Sequence, residues 1–82
     1  MAKKTGKSVK IYITPICIWC ARAKEFFKEN VVKFTEMDVG SDEKAAEEMV
    51  EKSGQMGVPV IDVNGEIIVG FNEPALRKAL GL

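Results

Sequence analysis

The chain has 82 residues, enough for one small domain near the size at which a single hydrophobic core just suffices. Its 12 basic and 12 acidic side chains cancel, which argues against steering toward nucleic acid or a membrane surface. The 46% hydrophobic content reads as globular, and no apolar run approaches the roughly 20 residues of a spanning helix.

Met1 to Ser8 reads as a solvated basic tail, leaving residues 9–82 as the domain. Lys10 and Pro15 interrupt the apolar stretch after the tail and no small-residue cleavage site is visible, so a secretory signal is not expected. The expected address is the cytoplasm, where thiols stay reduced and a lasting structural disulfide is improbable. "VKIYIT" (9–14) is a β-branched and aromatic run ended by Pro15, a strand. From Ile18 to Asn30 the period changes. Cys20, Ala23 and Phe27 recur at helical spacing with Phe26 beside them, so an amphipathic helix starts at or just after Cys17. "VKFTEMDV" (32–39) alternates impurely, yet its β-formers favour a strand.

Ser41 and Asp42 can cap a second helix that runs to about Ser53 and stops at Gly54, with Ala45, Ala46, Met49 and Val50 as its apolar stripe. In "VPVIDVNGEIIVG" two apolar runs flank Asn64-Gly65, the strongest short hairpin signal. A third helix starts near Glu73 with Pro74 in its first turn, and Ala75, Leu76, Ala79 and Leu80 face inward. The order is βαβαββα. A helical crossover makes the first two strands parallel and the hairpin makes the last two antiparallel, so the fold class is α/β with a mixed four-stranded sheet flanked by helices. Phe26, Phe27 and Phe34 are expected in the core, Met37, Met49 and Met56 in packing, and Trp19 as an exposed contact.

Cys17 and Cys20 are the chain's two cysteines, and it has no histidine. A C-x-x-C pair is half of a zinc site, but the other ligands would have to be carboxylates or come from a second chain. A structural disulfide across two residues would remove little entropy from the unfolded chain. Because the pair follows a strand in an α/β pattern, it reads as redox-active. A helix N-terminus favours a thiolate, and Cys17 stands there. Cys20 lies one turn in, on the inward face, where burial favours the neutral thiol. Spacing of i, i+3 puts both sulfurs on one side of the helix, within bonding reach. Cys17 is therefore the expected nucleophile and Cys20 the resolving thiol, with no bound metal or cofactor.

"YITPICIWCARAK" and "GVPVIDVNGEIIVGFNE" resemble the two signatures of the glutaredoxin family, together spanning residues 9 to 80. The resemblance implies a thioredoxin-like fold and thiol–disulfide oxidoreductase activity on protein or low-molecular-weight disulfides. It implies a redox-active Cys17–Cys20 disulfide, and a cis Val58–Pro59 bond beside it whose Val58 main chain meets a substrate strand. It also implies substrate contacts at Thr14, Pro15, Ile18, Trp19, Gln55, Val58, Pro59, Gly70, Phe71 and Asn72, with disulfide-containing proteins as partners and glutathione as co-substrate. The chain departs from the family pattern in three places: Ile18-Trp19 replaces Pro-Tyr, Thr14 stands where Lys or Arg is frequent, and Val69-Gly70-Phe71-Asn72-Glu73 replaces Gly-Gly-x-Asp-Asp; Gln55 stands where Arg or Gln is common. Several charges that would read glutathione are thus missing, although Glu73 or Arg22 could help. "GF", then a polar residue and a Pro, resembles NrdH-redoxins, which thioredoxin reductase reduces and which donate electrons to ribonucleotide reductase. Thioredoxin itself fits worse, because W-C-G-P-C is lacking and Ile11 stands where a buried Asp would. Phe71 is either a core plug or a rim of the thiol cleft. The contender of another class is a zinc or iron–sulfur carrier using Cys17 from two chains.

Overall fold

The strand after the basic tail, β1 (Val9–Ile13), is an inner strand of a four-stranded sheet. A computed structural model describes residues 8–82; apart from Ser8, the basic-tail reading lies outside them. Seven elements follow the predicted order: β1, α1 (Ile18–Glu29), β2 (Thr35–Asp38), α2 (Glu43–Ser53), β3 (Val60–Val63), β4 (Glu66–Val69) and α3 (Glu73–Leu80). β2 runs parallel to β1, with Lys10 opposite Thr35. β3 is antiparallel to β1, with Tyr12 opposite Val60, and to β4, with Val63 opposite Glu66.

The period of two along β1 separates two cores. Val9, Ile11 and Ile13 point into the larger one, which takes Cys20, Ala23, Phe26 and Phe27 from α1 and Leu76, Ala79 and Leu80 from α3. Tyr12 points to the opposite face, where Val60 and Met49 of α2 cover it. Predicted boundaries hold at both ends of α2: Asp42 Oδ1 accepts from the N–H groups of Lys44 and Ala45, and Gly54 ends the helix at φ 73°. Asn64 (φ 52°) and Gly65 (φ 99°) make the hairpin turn, and Asp62 Oδ1 accepts from the Gly65 N–H. Three details differ from expectation. Val50 and Met56 are exposed, Phe34 is only half-buried, and the second strand begins at Thr35 because the chain before it is still closing α1.

That closure is a Schellman motif: Val32 N–H bonds to the Phe27 carbonyl at 2.8 Å and Val31 N–H to that of Lys28 at 3.2 Å. Its left-handed position, usually glycine, is held by Val31 at φ 56°, with a side chain 78% exposed. A β-branched residue there is strained with no compensating burial, by about 1–2 kcal/mol. Val31→Gly is therefore expected to stabilise the fold by about 1 kcal/mol and raise the melting temperature by about 4–8 °C in a thermal melt. A lower melting temperature would contradict the strain.

On the α2 face the buried Tyr12 ring carries its hydroxyl to a charge cluster. The hydroxyl donates to Glu48 Oε2 at 2.8 Å and accepts from Lys52 Nζ at 3.0 Å; Lys52 also reaches Asp62 at 2.7 Å. Hydrogen bonds from Tyr12, Lys52 and Lys10 hold the Glu48 carboxyl at about 2. A depressed carboxylate contributes stability that is present above its unfolded value of 4.5 and lost as pH falls through about 2. Glu48 is a third exposed, so after screening we expect about 1 kcal/mol. Denaturant melts should show Glu48→Gln weaker than the parent at pH 7 and equal to it near pH 2. A constant offset across that range would refute this linkage.

Candidate functional site

β1 delivers the chain to Thr14 and Pro15, and Cys17 then serves as the N-cap of α1. Its backbone is extended (φ −95°, ψ 114°) and its Sγ accepts the Cys20 N–H at 3.1 Å, where a serine or aspartate oxygen would usually sit. No acidic residue occupies the first turn of α1 to oppose negative charge on that sulfur. Both thiols are free, but their surroundings differ. Cys17 is half-buried, whereas Cys20 is 1% exposed among the core residues of α1. Burial, and then its hydrogen bond with Cys17, push the Cys20 thiol up to about 12, against an opposing backbone hydrogen bond from Thr14.

Trp19, between the two cysteines in sequence, lines a groove of about 260 Å³ together with Val58, Pro59, Gly70 and Phe71. The Val58–Pro59 peptide bond is cis. The loop is tied to the end of β4, where the Pro59 carbonyl accepts the Gly70 N–H at 2.7 Å. Gly70 turns at φ 82°, a conformation that suits a residue without Cβ, and the turn brings Phe71 back over α1. The Phe71 ring stacks against Trp19, centroids 6.5 Å apart, and meets Phe26 edge-on at 5.9 Å. Phe71 thus packs on the core and forms a rim of the groove. Ile16, Ile18 and Trp19 stand out around Cys17 at 94%, 69% and 55% exposure, an apolar collar.

Not every predicted contact reaches the groove. Thr14 offers its carbonyl to the Cys17 N–H at 3.4 Å, and Pro15 is exposed beside it. Ile18 lies instead in a larger depression on the outer face of α1, with Arg22, Lys24 and Lys28. Asn72 caps α3, accepting the Ala75 N–H at 3.2 Å, and Glu73 is paired with Arg77 at 3.1 Å. The Gln55 amide turns back on its own loop and bonds both backbone groups of Gly57. Sequence reasoning missed that last role; the spacing Gln-x-Gly was its only trace. Arg22 lies over the Trp19 ring at 5.4 Å. Among the described residues no group of three or more Cys, Asp or Glu gathers as metal ligands, and no helix is long and apolar enough to cross a membrane.

A strand ending at a C-x-x-C helix cap and a cis-proline loop leading into β3, within a mixed βαβαββα sheet, define a protein of the thioredoxin-fold class. The glutaredoxin family model matches residues 9–68, and the chain belongs to that family of thiol oxidoreductases. It is 46% identical over 72 residues to a glutaredoxin-like 8.6 kDa protein in the rubredoxin operon of Clostridium pasteurianum, covering 88% of this chain and 96% of that one. It is 32% identical to glutaredoxin 3 of Escherichia coli K12, covering 90% and 89%. Among solved structures, glutaredoxin grx-1 of Archaeoglobus fulgidus superposes with a TM-score of 0.83 at 26% identity, covering 92% of this chain and 87% of that one.

Proposed function

We propose that the chain is a dithiol–disulfide oxidoreductase that reduces protein disulfides through Cys17 and Cys20. The observation that carries this reading is the asymmetry of the pair: one thiol caps a helix and is half-buried, the other is buried one turn inside. The Cys17 thiolate attacks a substrate disulfide sulfur, forming a mixed disulfide, and the second substrate sulfur leaves as a thiolate that takes a proton. Cys20 then gives up its proton and attacks Cys17 Sγ, expelling the first substrate sulfur. Two electrons pass to the substrate, which leaves as a dithiol, and the chain keeps a Cys17–Cys20 disulfide. Val58 supports binding of an extended segment through its main chain, as a strand-adding edge does. The apolar collar of Ile16, Ile18 and Trp19 supports a protein partner over a small charged one.

A reductant must reset the disulfide, and glutathione or thioredoxin reductase could each do so. The commitment of Asn72 to a helix cap, Glu73 to Arg77 and Gln55 to Gly57 favours thioredoxin reductase, the NrdH-like mode. The test is reduction of a protein disulfide by the reduced chain, with Cys17→Ser as the blank. Exchange that survives the loss of Cys17 would overturn the reading.

A further inference from the structure

The loop from α2 to β3 carries the cis-proline to the groove that Trp19 also lines, and it is held by a chain of polar contacts. Ser53 Oγ lies 2.7 Å from the Met49 carbonyl and 3.0 Å from that of Gln55. Gln55 Nε2 donates to Ser53 Oγ at 3.3 Å and to the Gly57 carbonyl at 3.0 Å, while Gln55 Oε1 accepts the Gly57 N–H at 2.6 Å. The amide therefore pairs with Gly57 on both sides, as the main chain of a neighbouring strand would. Both of its N–H donors are engaged, so an incoming carboxylate could be met only by breaking this clamp. Gly57 is where the clamp ends, and the next residue, Val58, lines the groove.

We propose that Gln55 is a positioning residue for the exchange reaction. Its amide fixes Gly57, and through Gly57 the main chain of Val58 in the groove wall, without itself reading the charge of the substrate. Gly54 and Gly57 flank this short loop, and glycine backbones have the most freedom to lose. Without the clamp the Val58 main chain would sample many positions, and each substrate strand would have to order it on binding. Gly57 is exposed, so water replaces the lost hydrogen bonds and the fold is expected to survive. The cost falls on binding. The lack of a side chain at 57 has a direct reason: a Cβ there would lie 2.8 Å from Gln55 Oε1 and push the amide away.

The inference rests on the dithiol exchange proposed above, and its test separates the two. Pre-reduced chain is mixed with a peptide disulfide, and separately with a glutathione mixed disulfide, over a range of substrate concentrations. Gln55→Ala should raise the half-saturating concentration about fivefold for both substrates, with the limiting rate and melting temperature nearly unchanged. Gly57→Ala should do the same, because its methyl displaces the amide, and the double variant should be no worse than either single one. A loss confined to the glutathione substrate in Gln55→Ala, with Gly57→Ala unaffected, would make Gln55 a direct substrate ligand and overturn the positioning role. Additive losses, or none, would overturn it too. A parent chain inert toward both disulfides would refute the exchange reading before any variant is compared, and the positioning role would fall with it.

Discussion

Cys20→Ser is expected to stop with substrate attached, accumulating a mixed disulfide at Cys17, while Cys17→Ser is expected to lose exchange down to the uncatalysed rate. The reason is the division of labour in the pair. Cys17 is partly open and its sulfur already accepts the Cys20 N–H at 3.1 Å, a bond that strengthens when the sulfur is charged. Cys20 is buried, and burial together with its hydrogen bond to Cys17 disfavours its thiolate. A free thiol so disfavoured would be a poor nucleophile. Inside the mixed disulfide it acts within one molecule, where effective concentrations on the order of 10⁵ M or more offset that disadvantage. Iodoacetamide at neutral pH should therefore label Cys17 well before Cys20, which is 1% exposed. Mass spectrometry of the labelled, digested chain reads both sites. Faster labelling of Cys20, or a Cys17→Ser variant that still forms mixed disulfides, would invert the assignment.

How much of the molecule is legible in its sequence depends on which interactions are local. The cap at Asp42, the Asn64-Gly65 turn and the Pro74 helix start are short-range devices, and each falls where its residues stand. The strand expected at 32–39 is too long because its first residues belong to the end of α1, and nothing in "NVVKF" marks Val31 for the left-handed position that tertiary closure imposes. The chemistry of Met56 suggests packing, but a loop pinned by Gln55 and Gly57 turns it out to 77% exposure. In the site, the thiols are readable because their asymmetry comes from helix position alone. Gln55, Asn72 and Glu73 are readable as polar groups near the groove but not as groups already partnered, since their partners follow from side-chain direction.

Reduction of the Cys17–Cys20 disulfide by thioredoxin reductase and NADPH is expected to run at least tenfold faster than by glutathione at matched electron supply. Glutathione presents two carboxylates and an ammonium, and the groove walls are Trp19, Val58, Pro59, Gly70 and Phe71, with no charge among them. Thr14 and Gln55 are neutral, and Gln55 is already bonded to Gly57. Arg22 is engaged with the Trp19 ring, 5.4 Å from its centroid, and Arg77 with the Phe26 ring at 5.3 Å. A hydrogen bond to a charged group is worth roughly 1.5–3 kcal/mol, so one missing contact suffices for a factor of ten. The main chain of Val58 remains, and weak glutathione turnover should persist. One substitution isolates the electrostatic cause. Asn72→Asp keeps the α3 cap, since both side chains accept equally well, and adds an anion for the ammonium. It should raise the glutathione-dependent rate severalfold and leave the thioredoxin reductase rate unchanged. The assay runs one disulfide substrate with NADPH and either glutathione with its reductase or thioredoxin reductase alone. Brisk glutathione turnover with none from thioredoxin reductase would mean that backbone contacts and shape alone hold glutathione here, and the missing charges would no longer explain the choice of donor.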